Sequence, residues 1–302
     1  MERMARSRVV LIKSPGVLSQ NGVLNGKALA AMFDRGIALL GGSEGEEALL
    51  RGLFKREDTI GIKVNTIGGK ALSTRPETAA ALARVLTRAG FADDRIVIWD
   101  RTNRELREAG FSLRINRGKG PGIYGTDSQG LGYSSQLVSH RSIGSLFSLI
   151  QSRTVTASVS LAMLKDHGLA GVTAGMKNYF GAIHNPNKYH DDNCDPYVAE
   201  LFETLPVKRK HRLTVIDALR VQYHRGPAYH AAWAEPQGTL IFSTDPVAAD
   251  FTGWQLIERL RARSGLPSLA EEEREPTYIR TASRMGLGQA RSADIDLIEE
   301  VL

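Results

Sequence analysis

The sequence predicts an α/β protein with a mostly parallel sheet and helices on both faces, in Rossmann-like layers. Two stretches carry this expectation. In residues 58–110 an apolar strand, DTIGIKVNT, a punctuated helix, STRPETAAALARVLTRAGF, a second apolar strand, RIVIWD, and a short helix follow one another. That β-α-β-α order implies parallel strands covered by helices. Further on, the runs at 154–164, RLTVIDA and TLIFST read as three more strands, the last leading into the helix DPVAADFTGWQLIERLRAR.

Each element has a local reason. Residues 9–13 form a short apolar run that stops at Pro15 and Gly16, and a helix is expected over 27–40. In STRPE, Ser73 or Thr74 is a candidate cap, Pro76 suits the first helical turn, Glu77 complements the dipole and Gly90 ends the helix. Residues 114–139, rich in Gly, Ser and Asn, read as a long functional or partly ordered loop; the glycines of RGKGPGIYG do not sit between a strand and a capped helix, so they are no dinucleotide fingerprint. Residues 171–180, GVTAGMKNYF, have helical character, Pro196 opens another helix, and Asp245 with Pro246 is a strong helix start. The tail is expected to close in an acidic helix. The 302 residues suffice for one α/β domain, with two lobes of about 1–150 and 151–302 as the alternative partition.

Composition narrows the function. A formal charge of +6 and a pI near 9.5 favour anionic ligands, but the basic residues are dispersed and no nucleic-acid motif is present, so the expected partner is a small anionic molecule and not a nucleic acid. The single cysteine, Cys194, rules out an intrachain disulfide and a cysteine-ligated iron–sulfur cluster. No apolar run is long enough to cross a bilayer. The chain as written is expected in the cytoplasm, with export the outcome if a leader precedes residue 1. A homo-oligomer is compatible with everything in the sequence.

The densest chemistry lies at 160–195. Lys165, Asp166 and His167 follow a strand, the place where open α/β sheets put ligands, so His167 is a candidate general base with its tautomer set by a carboxylate and Lys165 a candidate anion binder; a turn with ordinary capping is the other reading. Lys177 and Asn178 sit in an apolar segment, where a lysine must pair, bind an anion or snorkel out. His184, His190 and Asp191 offer mixed N/O donors for a divalent metal on a loop, or belong to a solvated capping loop. Lys63, Asn65 and Arg75 stand after a strand and before a helix N-terminus, a natural anion cradle, and Asp217 is at a strand end. Serine-nucleophile and phosphate-loop signatures are absent.

Five of these pieces in order, IKVN, STRPE, KDHGLAGVTAGMKNYFG, LTVIDAL followed by GP, and STDPVAAD, resemble the family called domain of unknown function 362, over residues 58–255. Many members of that family carry ferredoxin-like cysteines, which this chain lacks, so the resemblance implies no cluster here. The HNPNKYHDDNCDP variant is similar to a subgroup whose members often carry a twin-arginine leader. Residues 73–100 are also similar to a segment of nickel-pincer lactate racemases, without their histidine signature. The resulting expectation is a metal-assisted enzyme acting on a small carboxylate-bearing substrate: His167, Lys165 and Lys177 catalytic, Lys63, Asn65, Arg75, Asn178 and Asp217 binding substrate, and His184, His190 and Asp191 holding the metal. The alternative is a non-catalytic protein that binds an anionic ligand or cofactor.

Overall fold

The computed structural model describes residues 6–19, 21–115 and 118–302. Residues 1–5, Gln20 and, in the glycine-rich stretch, Asn116 and Arg117 lie outside them. Nine strands form one sheet, in the order β11 (Ile295–Val301), β1 (Ser7–Lys13), β10 (Ala234–Ser243), β9 (His211–Gln222), β7 (Ala157–His167), β2 (Ile60–Lys63), β3 (Ile96–Asp100) and β4 (Gly122–Gly125), with β8 (Gly171–Thr173) folded back on the end of β7. β10 runs antiparallel to both neighbours and β8 antiparallel to β7; every other pairing is parallel. The N-terminal strand β1 therefore pairs only with strands from the C-terminal end of the chain.

Helices cover both faces. Against one lie α1 (Gly26–Gly41) and α3 (Pro76–Arg88), whose Met32, Phe33, Ile37, Leu82 and Leu86 bury against Ile62, Val159 and Val215; α2 (Gly45–Leu53) packs beside α1. Against the other lie α5 (Tyr197–Glu203), α7 (Pro246–Arg263) and α8 (Thr277–Arg284), with Val198, Leu201, Ile257 and Ile279 among the buried residues; two short helices, α4 (Asn103–Glu108) and α6 (Leu205–Lys208), follow β3 and α5. Strands buried on both faces explain why β2, β3 and β7 read as continuous apolar runs instead of alternating ones.

Asp245 caps α7 as expected, its Oδ1 accepting from Val247 and Ala248 N–H at 2.9 Å each. In STRPE the structure differs. Arg75 occupies the cap position without a side-chain bond, because the Thr74 hydroxyl is used to accept from Asn65 N–H and donate to the Leu161 carbonyl. Three further expectations are corrected. Within 114–139 the chain forms β4 and most of β5 (Tyr133–His140), which pairs with β6 (Ile143–Ser148) in a separate hairpin; β5 exposes one face to solvent and so lacks an apolar run. Residues 171–180 are not one helix: Gly171 takes φ +70° to start β8, and only Lys177–Ala182 coil into a 3-10 turn. The acidic tail is strand β11, whose burial alternates with period two because it pairs along β1 with one face inward.

Candidate functional site

Between β2 and β7 the chain direction divides: β3 and β4 are laid down on one side of β2, β7 and β9 on the other. Parallel strands that diverge this way leave a crevice outside their C-terminal ends, where open α/β sheets bind ligands. A cavity of about 130 Å³ opens there, lined among others by Lys63, Asn65, Asp100, Lys165, His167, Lys177, Asn178, Phe180 and His190. On the same measure a water needs roughly 10–15 Å³, so the space suits a small molecule.

β2 and β3 deliver the first ion pair. Lys63, 1% exposed, places Nζ 2.5 Å from Asp100 Oδ1, 2.7 Å from the Val64 carbonyl and 3.3 Å from Asn178 Oδ1. Asp100 also accepts from Thr66 N–H, the Thr66 hydroxyl and Arg101 N–H, at 2.7 Å each. Asn178 donates from Nδ2 to the Lys63 carbonyl at 2.8 Å and to the Ser160 hydroxyl at 3.1 Å, which fastens the 3-10 turn to the sheet. The turn passes so close that a Cβ on Gly181 would lie 2.8 Å from Lys63 Nζ and 2.9 Å from Asp100 Oδ1. Lys63 is thus neutralised within the protein, and its role is to join the strand ends to the turn that carries Lys177.

The other two lysines differ. Lys165, fully buried, donates to Asn65 Oδ1 at 3.0 Å and the Leu72 carbonyl at 3.3 Å, both neutral acceptors. Lys177 Nζ lies 4.2 Å from the centre of the Phe180 ring and 3.2 Å from His190 Nε2. Among the described residues neither has a carboxylate within ion-pairing distance. Burial lowers the Lys165 ammonium to about 8, with Asp100 opposing and Lys177 adding to the shift; burial lowers Lys177 to about 8 as well, against the neighbouring Cys194 thiol.

Two histidines stack beside them, ring centres 5.5 Å apart. His167 Nδ1 accepts from the backbone N–H of Leu169 at 3.2 Å and of Ala170 at 3.1 Å, so the proton resides on Nε2. The tautomer is set by backbone donors and not by the carboxylate the sequence suggested. Burial and the adjacent cationic side chains push the His167 pKa down to about 2, so the ring is neutral. His190 Nδ1 faces the Pro186 carbonyl at 3.1 Å, which can only accept; Nδ1 therefore carries the proton, and Nε2 presents its lone pair to Lys177. Burial lowers the His190 pKa too.

The remaining expected residues lie elsewhere. Arg75 and Asp217 do not line the cavity. Asp217 is not at a strand end, because β9 runs on to Gln222; it shares a face with Val215 and Leu219, the one covered by α1 and α3, where burial raises its pKa and it accepts from Leu219 N–H at 3.1 Å. His184 is exposed, edge-on to Tyr133 at 5.2 Å, and Asp191 is exposed. Among the described residues no three His, Cys, Asp or Glu side chains are grouped to hold a metal ion. His184, His190 and Asp191 therefore do not assemble as a ligand set, since one imidazole faces solvent and both nitrogens of the other are engaged.

Sequence reasoning missed several contributors. Asp100 carries the same signal as Lys63, a charge ending an apolar strand. Asp250 on α7 accepts from Gly175 N–H at 2.7 Å and Met176 N–H at 3.1 Å, holding the start of the Lys177 turn; burial raises its pKa to about 7. Asp166, fully buried, points away from the cavity and accepts from Gly226 N–H at 2.7 Å and Arg274 at 3.0 Å, anchoring the loop that brings Pro227 to the cavity wall. No local pattern identifies the Asp250 or Arg274 partners, which are 75 and 108 residues away.

These features define a doubly wound α/β protein with a basic crevice at the switch point of its sheet. The chain belongs to the family described as Domain of unknown function (DUF362), whose model matches residues 60–255. Every residue that lines the cavity falls within that range. No curated protein matches the chain. Among solved structures, a structural-genomics protein from Thermotoga maritima is similar at 12% identity and a TM-score of 0.46, over 80% of this chain and 60% of that one. The chain thus spans less than two thirds of that protein's length.

Proposed function

We propose that the crevice belongs to an enzyme acting on a small carboxylate-bearing molecule. One observation carries this reading: Lys165 and Lys177 are buried around one cavity and, among the described residues, neither has a carboxylate within ion-pairing distance. A buried charge without a counter-charge is several kcal/mol less favourable than one in water, and an anion entering the cavity offsets that penalty. Lys165 is best placed to hold the carboxylate, since its protein partners are neutral oxygens. His167, a neutral imidazole with Nε2–H, serves as a hydrogen-bond donor to an oxygen that gains charge during reaction. Protein side chains supply the chemistry in this reading, since His184, His190 and Asp191 are not brought together as a ligand set.

Thermal stability measured with a panel of small 2-oxo, 2-hydroxy and dicarboxylic acids tests the reading. A carboxylate present at a hundred times its Kd raises stability by ~2.7 kcal/mol, and Lys165→Met abolishes that gain. If no acid stabilises the protein, or if Lys165→Met binds as the native chain does, the reading fails.

A non-catalytic carrier of the same anion is the second reading. It is favoured by His167 Nδ1 being occupied by two backbone donors, which leaves that residue able to donate but not to take a proton. His167→Gln with unchanged affinity, together with an absence of turnover for every stabilising acid, selects the carrier.

A further inference from the structure

We infer that Lys177 is a nucleophile which forms an imine with the carbonyl carbon of a 2-oxo acid whose carboxylate rests on Lys165. This rests on the crevice being an anion site and gives the two lysines different work. The difference lies in their partners. The acceptors around Lys165 are the oxygens of Asn65 and Leu72, which bind an ammonium but cannot take its proton. Lys177 instead faces a nitrogen lone pair, His190 Nε2 at 3.2 Å, fixed in that tautomer by the Pro186 carbonyl. His190 is only half-buried and lines the cavity, so a proton taken from Lys177 has a route to solvent.

The surroundings favour the free amine as well. Lys177 is buried, has the second lysine in the same cavity and, among the described residues, has no carboxylate within ion-pairing distance; the Phe180 ring and the Cys194 thiol favour the ammonium, and burial outweighs them. Its pKa of about 8 leaves on the order of a tenth of it as free amine at neutral pH.

The step balances without a further reactant. The Lys177 nitrogen lone pair forms a bond to the carbonyl carbon while the π pair moves to oxygen, where His167 Nε2–H steadies the developing charge. The nitrogen then loses two protons through His190 Nε2 and the oxygen gains two, leaving as water as the C–O bond breaks and the C=N bond forms. An amine and a 2-oxo acid give an imine and water, with nothing oxidised or reduced.

Borohydride trapping tests this on the full chain. With pyruvate, oxaloacetate and 2-oxoglutarate as probes, at least one is expected to add the mass of the acid, less water and plus two hydrogens, with peptide mapping placing the adduct on Lys177. Lys177→Arg is expected to keep the thermal stabilisation by that acid and lose the adduct. His190→Gln is expected to slow trapping about a hundredfold near pH 7, the usual size of a lost proton relay, and to recover toward pH 9. Stabilisation by a 2-oxo acid without an adduct overturns the imine and leaves the anion site standing. An adduct on Lys165 or on an exposed lysine also overturns it. Neither stabilisation nor adduct overturns both.

Discussion

Lys63→Met separates the ion pair that supports the crevice from the lysines that face its ligand. The substitution keeps most of the buried side-chain volume and removes Nζ from Asp100, Val64 and Asn178. Taking one partner from a buried pair typically costs about 3–5 kcal/mol, because the other charge stays behind. Here Asp100 retains three donors, two from Thr66 and one from Arg101 N–H, so its carboxylate is not stranded and the loss should fall at the lower end, about 3 kcal/mol. Asp100→Asn leaves the ammonium on the Val64 carbonyl and Asn178 Oδ1, a comparable position. The double variant should therefore be less destabilised than the sum of the two single variants, by about 1–3 kcal/mol. Urea unfolding reads all three, with fluorescence following Trp99, whose ring centre is 5.4 Å from Lys63 Nζ. A single-variant loss below about 1 kcal/mol, or strict additivity, would refute the view of Lys63 and Asp100 as a self-contained pair.

Other outcomes follow from the same geometry. The His167 ring should show the Nε2–H tautomer in nitrogen NMR throughout pH 5–8, and a titration near pH 6.5 would contradict its burial as a neutral ring. Because burial lowers His167 to about 2 and His211 to about 3, the native state binds fewer protons than the unfolded chain, whose histidines titrate near about 6.5; these two rings should make stability fall as pH drops below that value. Asp250 acts oppositely. With its pKa raised to about 7 from an unfolded value of about 3.9, the native state holds the extra proton and stability falls as pH rises through that window, so Asp250→Asn should gain on the native chain between pH 4 and 8 in paired urea titrations. A Cβ on Gly226 would stand 1.8 Å from the Asp166 carbonyl oxygen, and Gly226→Ala should lower stability by at least about 1–3 kcal/mol in thermal unfolding. His184→Ala, at an exposed position, should stay within about 0.5 kcal/mol of the native chain and bind acids equally well by the same thermal assay.

Much of the architecture was legible in the linear order of residues. Apolar runs buried on both faces, the Pro76 and Asp245–Pro246 helix starts and the β-α-β-α spacing are local signals, and they place Lys63, Asn65, Lys165 and His167 at strand ends without reference to the fold. The weakly apolar hairpin of β5 and β6 and the acidic β11 were not legible, because strands with a solvated face carry too few apolar residues to announce themselves.

Sequence alone placed Lys63, Lys165 and His167 at the ends of parallel strands, because strand length and polarity are properties of contiguous residues, but it ended β9 too early and so put Asp217 at a strand end. Tertiary structure decided which of them share a cavity. It cancelled Lys63 with Asp100 from the neighbouring strand, turned Asp217 to the opposite face by the two-residue period of β9, and moved His184 to the surface while bringing His190 to Lys177. It also set both histidine tautomers, through backbone groups of Leu169, Ala170 and Pro186. The physical reason is that a side chain's charge state and proton position depend on the groups within hydrogen-bonding reach, and in a sheet built by crossovers those groups come from strands and turns far apart in the chain.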